Sequence, residues 1–184
     1  MEKYISKKEK ASYGFAAVGS YMVAGITQSY LMYFFTDILI IPSAYVMMLM
    51  IVARVWDALN DPMMGVIVDR TSTKYGKMRP YVLIGSFLML VTTIVLFMPL
   101  TGAPTMFKMI FAAVSYIIFG MAYTLTDVPA MGLMSVATPN SDEGASLLSF
   151  YVTVGSVGSL LPVGLLTIFQ SFIPEKYVYF AMSI

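Results

Sequence analysis

The chain has 184 residues, 59% of them hydrophobic and only 11% charged, with a mean hydropathy of +0.80, a composition that excludes an ordinary water-soluble domain. Eleven basic residues against ten acidic ones leave a formal charge of +1, too little to attract nucleic acid, which is not expected as a partner. The sequence contains neither cysteine nor histidine, which removes disulfides, thiol nucleophiles, imidazole bases and the commonest soft-metal ligands. Neither an enzyme nor an organic cofactor is expected.

The leader carries Lys3, Lys7, Lys8 and Lys10, but the apolar run behind it is too long for a signal-peptide core and reads as a retained first helix. Crossing about 30 Å of hydrocarbon takes about 20 apolar residues in a helix. That length fits along the chain at 13–35, 43–68, 81–98, 107–130 and 147–172. A further apolar stretch at 177–184 is too short to cross, so the chain reads as ending inside a sixth helix. The expected fold class is an all-α membrane protein, with lipid as its solvent. Basic residues concentrate in the leader and in the second connector, as Arg70, Lys74, Lys77 and Arg79, against Lys108 and Lys176 in the alternate connectors. That bias predicts a cytoplasmic N-terminus and a multi-pass protein of the cell (inner, or cytoplasmic) membrane. The loop at 139–146, with Asp142 and Glu143, is silent on orientation, because acidic residues count for little in that rule.

Small residues recur in the first and fifth predicted helices, as Gly14, Gly19 and Gly25, then Gly155, Ser156, Gly158 and Ser159. Close helix packing accounts for them more simply than rocking surfaces do. Pro129 and Pro162 read as functional kinks or as tolerated breaks.

The second predicted helix holds Arg54, Asp57, Asn60 and Asp61 near its centre. A charge at mid-membrane costs about 2.5–3.5 kcal/mol on insertion scales, so three in one span require partners or water. Arg54, Asp57 and Asp61 share one helix face, where Arg54 can serve as charge partner to both carboxylates. Two carboxylates and the Asn60 amide are hard oxygen donors, suited to an alkali cation or a shared proton and not to soft metals. The fourth predicted helix adds Tyr123, Thr124 and Asp127, Asp127 being another costly charge. A buried ion-pair cluster that merely holds helices together is the structural alternative. The excess of acids over bases favours a mobile cation. An intramembrane aspartyl hydrolase, with Asp57 and Asp127 sharing a water, is disfavoured because the expected Gly-x-Gly-Asp loop is absent and Arg54 opposes proton sharing. The charged connector with Asp69, Arg70, Lys77 and Arg79 reads either as an orientation signal or as ion pairs that form and break in a cycle.

Together, Asp57-Ala-Leu-Asn60-Asp61-Pro62, Asp69-Arg70-Thr71, Gly76-Lys77-Met78-Arg79-Pro80 and Tyr123-Thr124-Leu-Thr-Asp127-Val-Pro129, with Tyr30-Leu-Met-Tyr33 and Thr36-Asp37, resemble the glycoside-pentoside-hexuronide:cation symporters, the family typified by melibiose permease. The resemblance covers about residues 13–139 and weakens beyond. It implies the N-terminal six-helix bundle of a major facilitator-type transporter, its sixth helix truncated, working with a missing C-terminal six-helix bundle. It further implies a Na+, Li+ or H+ site at Asp57, Asn60, Asp61 and Thr124, with Asp57 and Asp61 as the carboxylate ligands of an alkali cation. A sugar-like small solute would bind at Asp127 with Tyr123 and Tyr21, and Asp69, Arg70, Lys77 and Arg79 would gate the cytoplasmic side. Tyr21 stands where melibiose-type members place an acid, Val152 where they place an arginine, and Ala130 and Met131 where aromatic residues are expected, so cation binding is better preserved than melibiose-like sugar binding. A non-transporting bundle or remnant is the competing reading.

Overall fold

A computed structural model describes residues 4–184; Lys3 of the basic leader lies outside the described residues. The first helix, α1 (Lys7–Tyr33), opens on a reciprocal cap. Ser6 Oγ accepts from the Glu9 N–H, and the Ser6 N–H donates to the Glu9 carboxylate at 2.8 Å, so orphan donors at the helix start are met in both directions. That backbone donor, with the Ser6 hydroxyl, holds the Glu9 carboxyl below its usual range. The far end of α1 loosens into a π-helical turn, Phe34–Ile38, with Phe34 and Phe35 buried. Ile40 then turns the chain at φ 57°. Lys108, buried in the first turn of α4, donates to the Leu39 carbonyl at 2.9 Å and so satisfies an acceptor that the helix end leaves unpaired.

The remaining helices are α2 (Ser43–Arg70), α3 (Arg79–Leu96), α4 (Thr105–Ser135), α5 (Ser141–Gly158), α6 (Leu161–Gln170) and α7 (Glu175–Met182). Sequence spacing anticipates α2 within two residues of its end, whereas the fifth predicted segment starts earlier than expected and is split in two. α5 begins at Ser141 because Asn140 caps it, its side chain accepting from the N–H groups of Asp142 and Glu143. Both acids then sit in the first turn, where the helix dipole favours them. The helix breaks after Gly158, and Pro162 occupies the first turn of α6, a position where its missing N–H costs nothing. Pro62 and Pro129, by contrast, stay inside α2 and α4. Each leaves the carbonyl four residues before it, of Ala58 and Leu125, without an intrahelical donor.

Among the described residues, three segments are long and apolar enough to cross a membrane: α3, α4, and α5 with α6 taken together as 141–170. α1 and α2 have the length, at 27 and 28 residues, but are more polar, α2 because of its internal charges. In the packing, α4 lies against α3 and α2, α1 against α5, and α6 against α7 and α1. The α1–α5 contact is made by absent side chains. A Cβ on Gly158 would stand 2.9 Å from Val18 Cα, and one on Gly25 would meet the backbone of Ser159. Gly14 faces the Phe150 ring and Gly155 the Tyr21 ring, so four of the glycines serve close packing. Gly19 has open space beside it.

Two apolar clusters bracket the middle of the bundle. One joins Phe34, Phe35, Leu39 and Val46 to Leu96, Phe97 and Phe119; the other gathers Ala17, Ala130, Met134, Leu147 and Tyr151. The outer surface is also apolar: Ile51, Val55, Leu59 and Met63 on α2 and Leu83 and Phe87 on α3 are exposed. A surface this apolar is matched to lipid or to a second bundle and not to water.

Candidate functional site

Between the two clusters, α1, α2 and α4 enclose an open cavity of about 160 Å³ that gathers Arg54, Asp57, Asp61, Thr124 and Asp127. Three of the chain's ten acidic residues thus meet in one space at the middle of long helices. A second cavity, of about 260 Å³ among α1, α3, α4 and α5, is lined by Tyr13, Gly19, Ser20, Ser86, Thr126 and Tyr151 among others and by no charged side chain.

Helix periodicity creates the first site. On α2, residues 53, 54, 57 and 61 fall within one side of the helix, and all line the cavity. Gly120 on α4 lets the two helices approach: a Cβ there would stand 3.1 Å from Asp57 Oδ1. Thr124 Oγ1 donates to Asp61 Oδ1 at 2.9 Å, which ties α4 to α2 through a candidate ligand pair. Asp57 and Arg54 approach to 4.0 Å, with the Arg54 side chain 70% exposed. The expectation that Arg54 serves both acids is not met: Asp61 lies two turns, about 10 Å, farther along the helix, and its observed partner is Thr124. Asn60, half-buried, is not among the residues lining the cavity. It precedes Asp61 by one residue and so points about 100° away around the helix.

Asp127 and Tyr123 line the cavity from α4, and the Tyr123 ring sits 6.2 Å from that of Phe119. One oxygen of Asp127, Oδ1, is buried without a hydrogen-bond partner. Tyr21 is not among the residues lining the cavity, but it lies near enough to Asp127 and Tyr123 to interact with both electrostatically. It packs over Gly155, which has no side chain to hold the ring off, and meets Tyr151 edge-on at 6.0 Å. Ala24, Thr27 and Gln28, the next turns of α1, are the residues that line the cavity. Sequence reasoning missed Thr27, Gln28, Trp56 and Phe119 as lining residues. Gln28, an amide inside an apolar span, carries a visible signal; the aromatic rings do not, because aromatic residues are common throughout the chain.

Among the described residues no group of three or more acidic side chains is arranged to hold a metal ion. The donors at Asp57, Asp61 and Thr124 are hard oxygen groups, ill suited to soft metals. In the connector between α2 and α3, Asp69, Arg70, Lys77 and Arg79 are all exposed. Lys77 Nζ donates to the backbone carbonyl of Asp69 at 3.1 Å, so its observed bond is to the main chain and not to the carboxylate. Gly76 takes φ 93° in this turn, a left-handed conformation open to glycine at no steric cost.

Residues 12–184 match the family model for MFS/sugar transport proteins. The chain belongs to that family. The uncharacterized symporter YjmB of Bacillus subtilis is 37% identical over 161 residues, 86% of this chain and 35% of the relative. The inner membrane symporter YicJ of Escherichia coli is 33% identical over 161 residues, 85% and 34% of the two chains. The isoprimeverose transporter of Lactiplantibacillus pentosus is 29% identical over 153 residues, 83% and 32%. The chain therefore spans about a third of the length of the curated relatives it matches. This is a multi-pass membrane protein of a transporter family, not of an enzyme family, and the family handles small-molecule solutes.

Proposed function

We propose that the chain forms the first bundle of a cation-coupled symporter for a sugar, glycoside or related solute. The cation, Na+, Li+ or H+, binds at Asp57 and Asp61 with Thr124, and Asn60 contributes from the neighbouring face. The solute binds at Asp127 and Tyr123. The observation that carries this reading is one cavity in which three carboxylates and a threonine hydroxyl from two helices meet a single, largely exposed arginine. A locked structural ion pair would bury Arg54 against its partners; at 70% exposure and 4.0 Å the guanidinium leaves the acids room for a mobile ion. Cation and solute sites sharing one cavity provide the coupling: charge neutralisation at Asp57 and Asp61 lowers the cost of placing a solute beside Asp127. A second bundle closes the cavity from the other side, and the exposed connector from Asp69 to Arg79 lies on the cytoplasmic face as a gate. Relatives named as symporters and as an isoprimeverose transporter support the assignment of class. The test is uptake by the protein carrying both bundles. Asp57→Cys or Asp61→Cys is expected to abolish cation-dependent uptake, and undiminished uptake with unchanged cation dependence would overturn the assignment.

A further inference from the structure

The helices fall into two groups. Gly25 and Gly158 bring the backbones of α1 and α5 together, Gly14 and Gly155 seat the rings of Phe150 and Tyr21 in the same contact, and Lys10 Nζ lies 4.6 Å from the centre of the Phe150 ring. On the other side α4 holds both α2 and α3. Thr124 bonds Asp61, the Tyr45 hydroxyl donates to the Met109 carbonyl at 2.9 Å, and a Cβ on Gly85 of α3 would stand against the backbone of Leu125 and Thr126. Both cavities lie on the seam between these groups. The charged one has α1 on one side and α2 with α4 on the other, and the second has α1 and α5 facing α3 and α4. Voids forfeit the dispersion contacts that close packing supplies, so the middle of the seam is its weakest stretch. Polar side chains along it bond within their own group, Thr27 to the Val23 carbonyl, Ser20 with Tyr151, and Thr126 to the Ala122 carbonyl.

The two ends of the seam differ. Where α1 stops, the Phe34 ring meets the Phe97 ring at 5.3 Å inside the larger apolar cluster, and the buried Lys108 of α4 donates to the Leu39 carbonyl. The π-helical turn Phe34–Ile38 lies in this clasp, a local break in the regular helical ladder at which a helix can bend. At the other end the apolar link is the smaller cluster of Ala17, Leu147 and Tyr151 with Ala130 and Met134, and the polar link is Glu143. Its Oε1 accepts from the Ile5 N–H at 3.2 Å, and its Oε2 accepts from both the Tyr4 N–H at 3.2 Å and the Thr138 hydroxyl at 2.9 Å. One half-buried carboxylate on α5 thus ties the leader of α1 to the connector that follows α4. A seam held by a large core at one end, and by a small core and one carboxylate at the other, opens at the weaker end.

We propose that α1 and α5 move as one element against α2, α3 and α4, pivoting at the clasp of Phe34, Phe97 and Lys108 and latched at the opposite end by Glu143. Release of the latch widens both cavities, and with them the space in which Asp57, Asp61 and Asp127 face α1. The motion lies inside this bundle, is separate from any movement of one bundle against another, and does not depend on which cation or solute enters.

Distance measurement between paired spin labels, on the cysteine-free chain in lipid nanodiscs, tests the motion. Three pairs of exposed positions suffice: Ser12 with Ser149 reports α1 against α5, Ser12 with Leu83 the latched end of the seam, and Met32 with Thr105 the pivot. Glu143→Ala removes the acceptor of three donors, and losing hydrogen bonds to a charged acceptor shifts a two-state equilibrium about tenfold or more. A longer Ser12–Leu83 distance is therefore expected to gain weight in that variant, while the Ser12–Ser149 and Met32–Thr105 distances stay as they are. Thr138→Val, which removes only the donor from the α4 side, should shift the same pair in the same direction by less. A Ser12–Leu83 distribution that is identical in the wild type and in both variants, at unchanged helicity, would overturn the inference. So would a Ser12–Ser149 or Met32–Thr105 distance that lengthens along with it. Failure of the cation assignment would show up separately, in uptake by Asp57→Cys and Asp61→Cys, and would leave these distances standing.

Discussion

Thr124 has two roles in the proposed site, as a hydroxyl oxygen offered to the proposed cation and as the donor that orients Asp61. Thr124→Ala removes both, and a hydrogen bond to a charged acceptor is worth about 1.5–3 kcal/mol. The half-saturating cation concentration for uptake should therefore rise about tenfold or more, with Thr124→Ser close to wild type. An alanine variant with unchanged cation dependence would remove Thr124 from the site. At this scale the acids are readable in the sequence, because a carboxylate inside an apolar run carries a cost that neighbouring residues do not. Trp56 and Phe119 are not readable, since an aromatic ring in an apolar helix offers no contrast. Tyr21 meets the expectation only in part. The resemblance puts it at the solute; its ring is seated on Gly155 in the α1–α5 contact, one turn of about 4.5 Å from the cavity-lining Ala24, yet still within electrostatic reach of Asp127 and Tyr123.

The helices are legible where charge or apolar length bounds them, and less so where a cap or a break decides the boundary. Asn140 followed by Asp142 and Glu143 is an N-terminal helix signal that the apolar window at 147–172 passes over, and Pro162 marks the interruption that the same window smooths across. Replacing Asn140 by alanine should lower stability by about 1 kcal/mol, the usual worth of an N-cap, read as a fall in thermal midpoint of the purified chain. The glycines separate more sharply. Gly158→Ala drives a methyl toward Val18 Cα, 2.9 Å away, and should cost about 1–3 kcal/mol through overpacking. Gly19→Ala, with nothing within 4 Å, should be neutral or slightly stabilising, because glycine is a poor helix former. Equal midpoints for the two variants would contradict the close α1–α5 contact.

For the molecule as a whole, composition and span length suffice to indicate an all-helical membrane bundle, while the neighbour relations of its helices come only from packing. Which helices pair depends on glycines and ring contacts between residues far apart in sequence, such as Gly25 with Ser159, and no local pattern reports that. Orientation can be tested on the natural background, because the chain has no cysteine. A single cysteine at Ser72, in the connector after α2, should react with a membrane-impermeant maleimide only from the cytoplasmic face, and one at Thr101 only from the opposite face. The reverse pattern would invert the topology. The central physical claim is more local: the carboxylates of α2, together with Thr124 of α4, form a site that a monovalent cation enters and leaves, and every one of its proposed ligands lies on this chain. Calorimetric titration of the purified chain with Na+ and with Li+, accompanied by a pH titration for a proton-coupled site, tests it most directly. A saturable one-site signal that disappears in an Asp57→Asn, Asp61→Asn double variant of unchanged helicity is the expected result; no signal in the wild type, or the same signal in the variant, would contradict it.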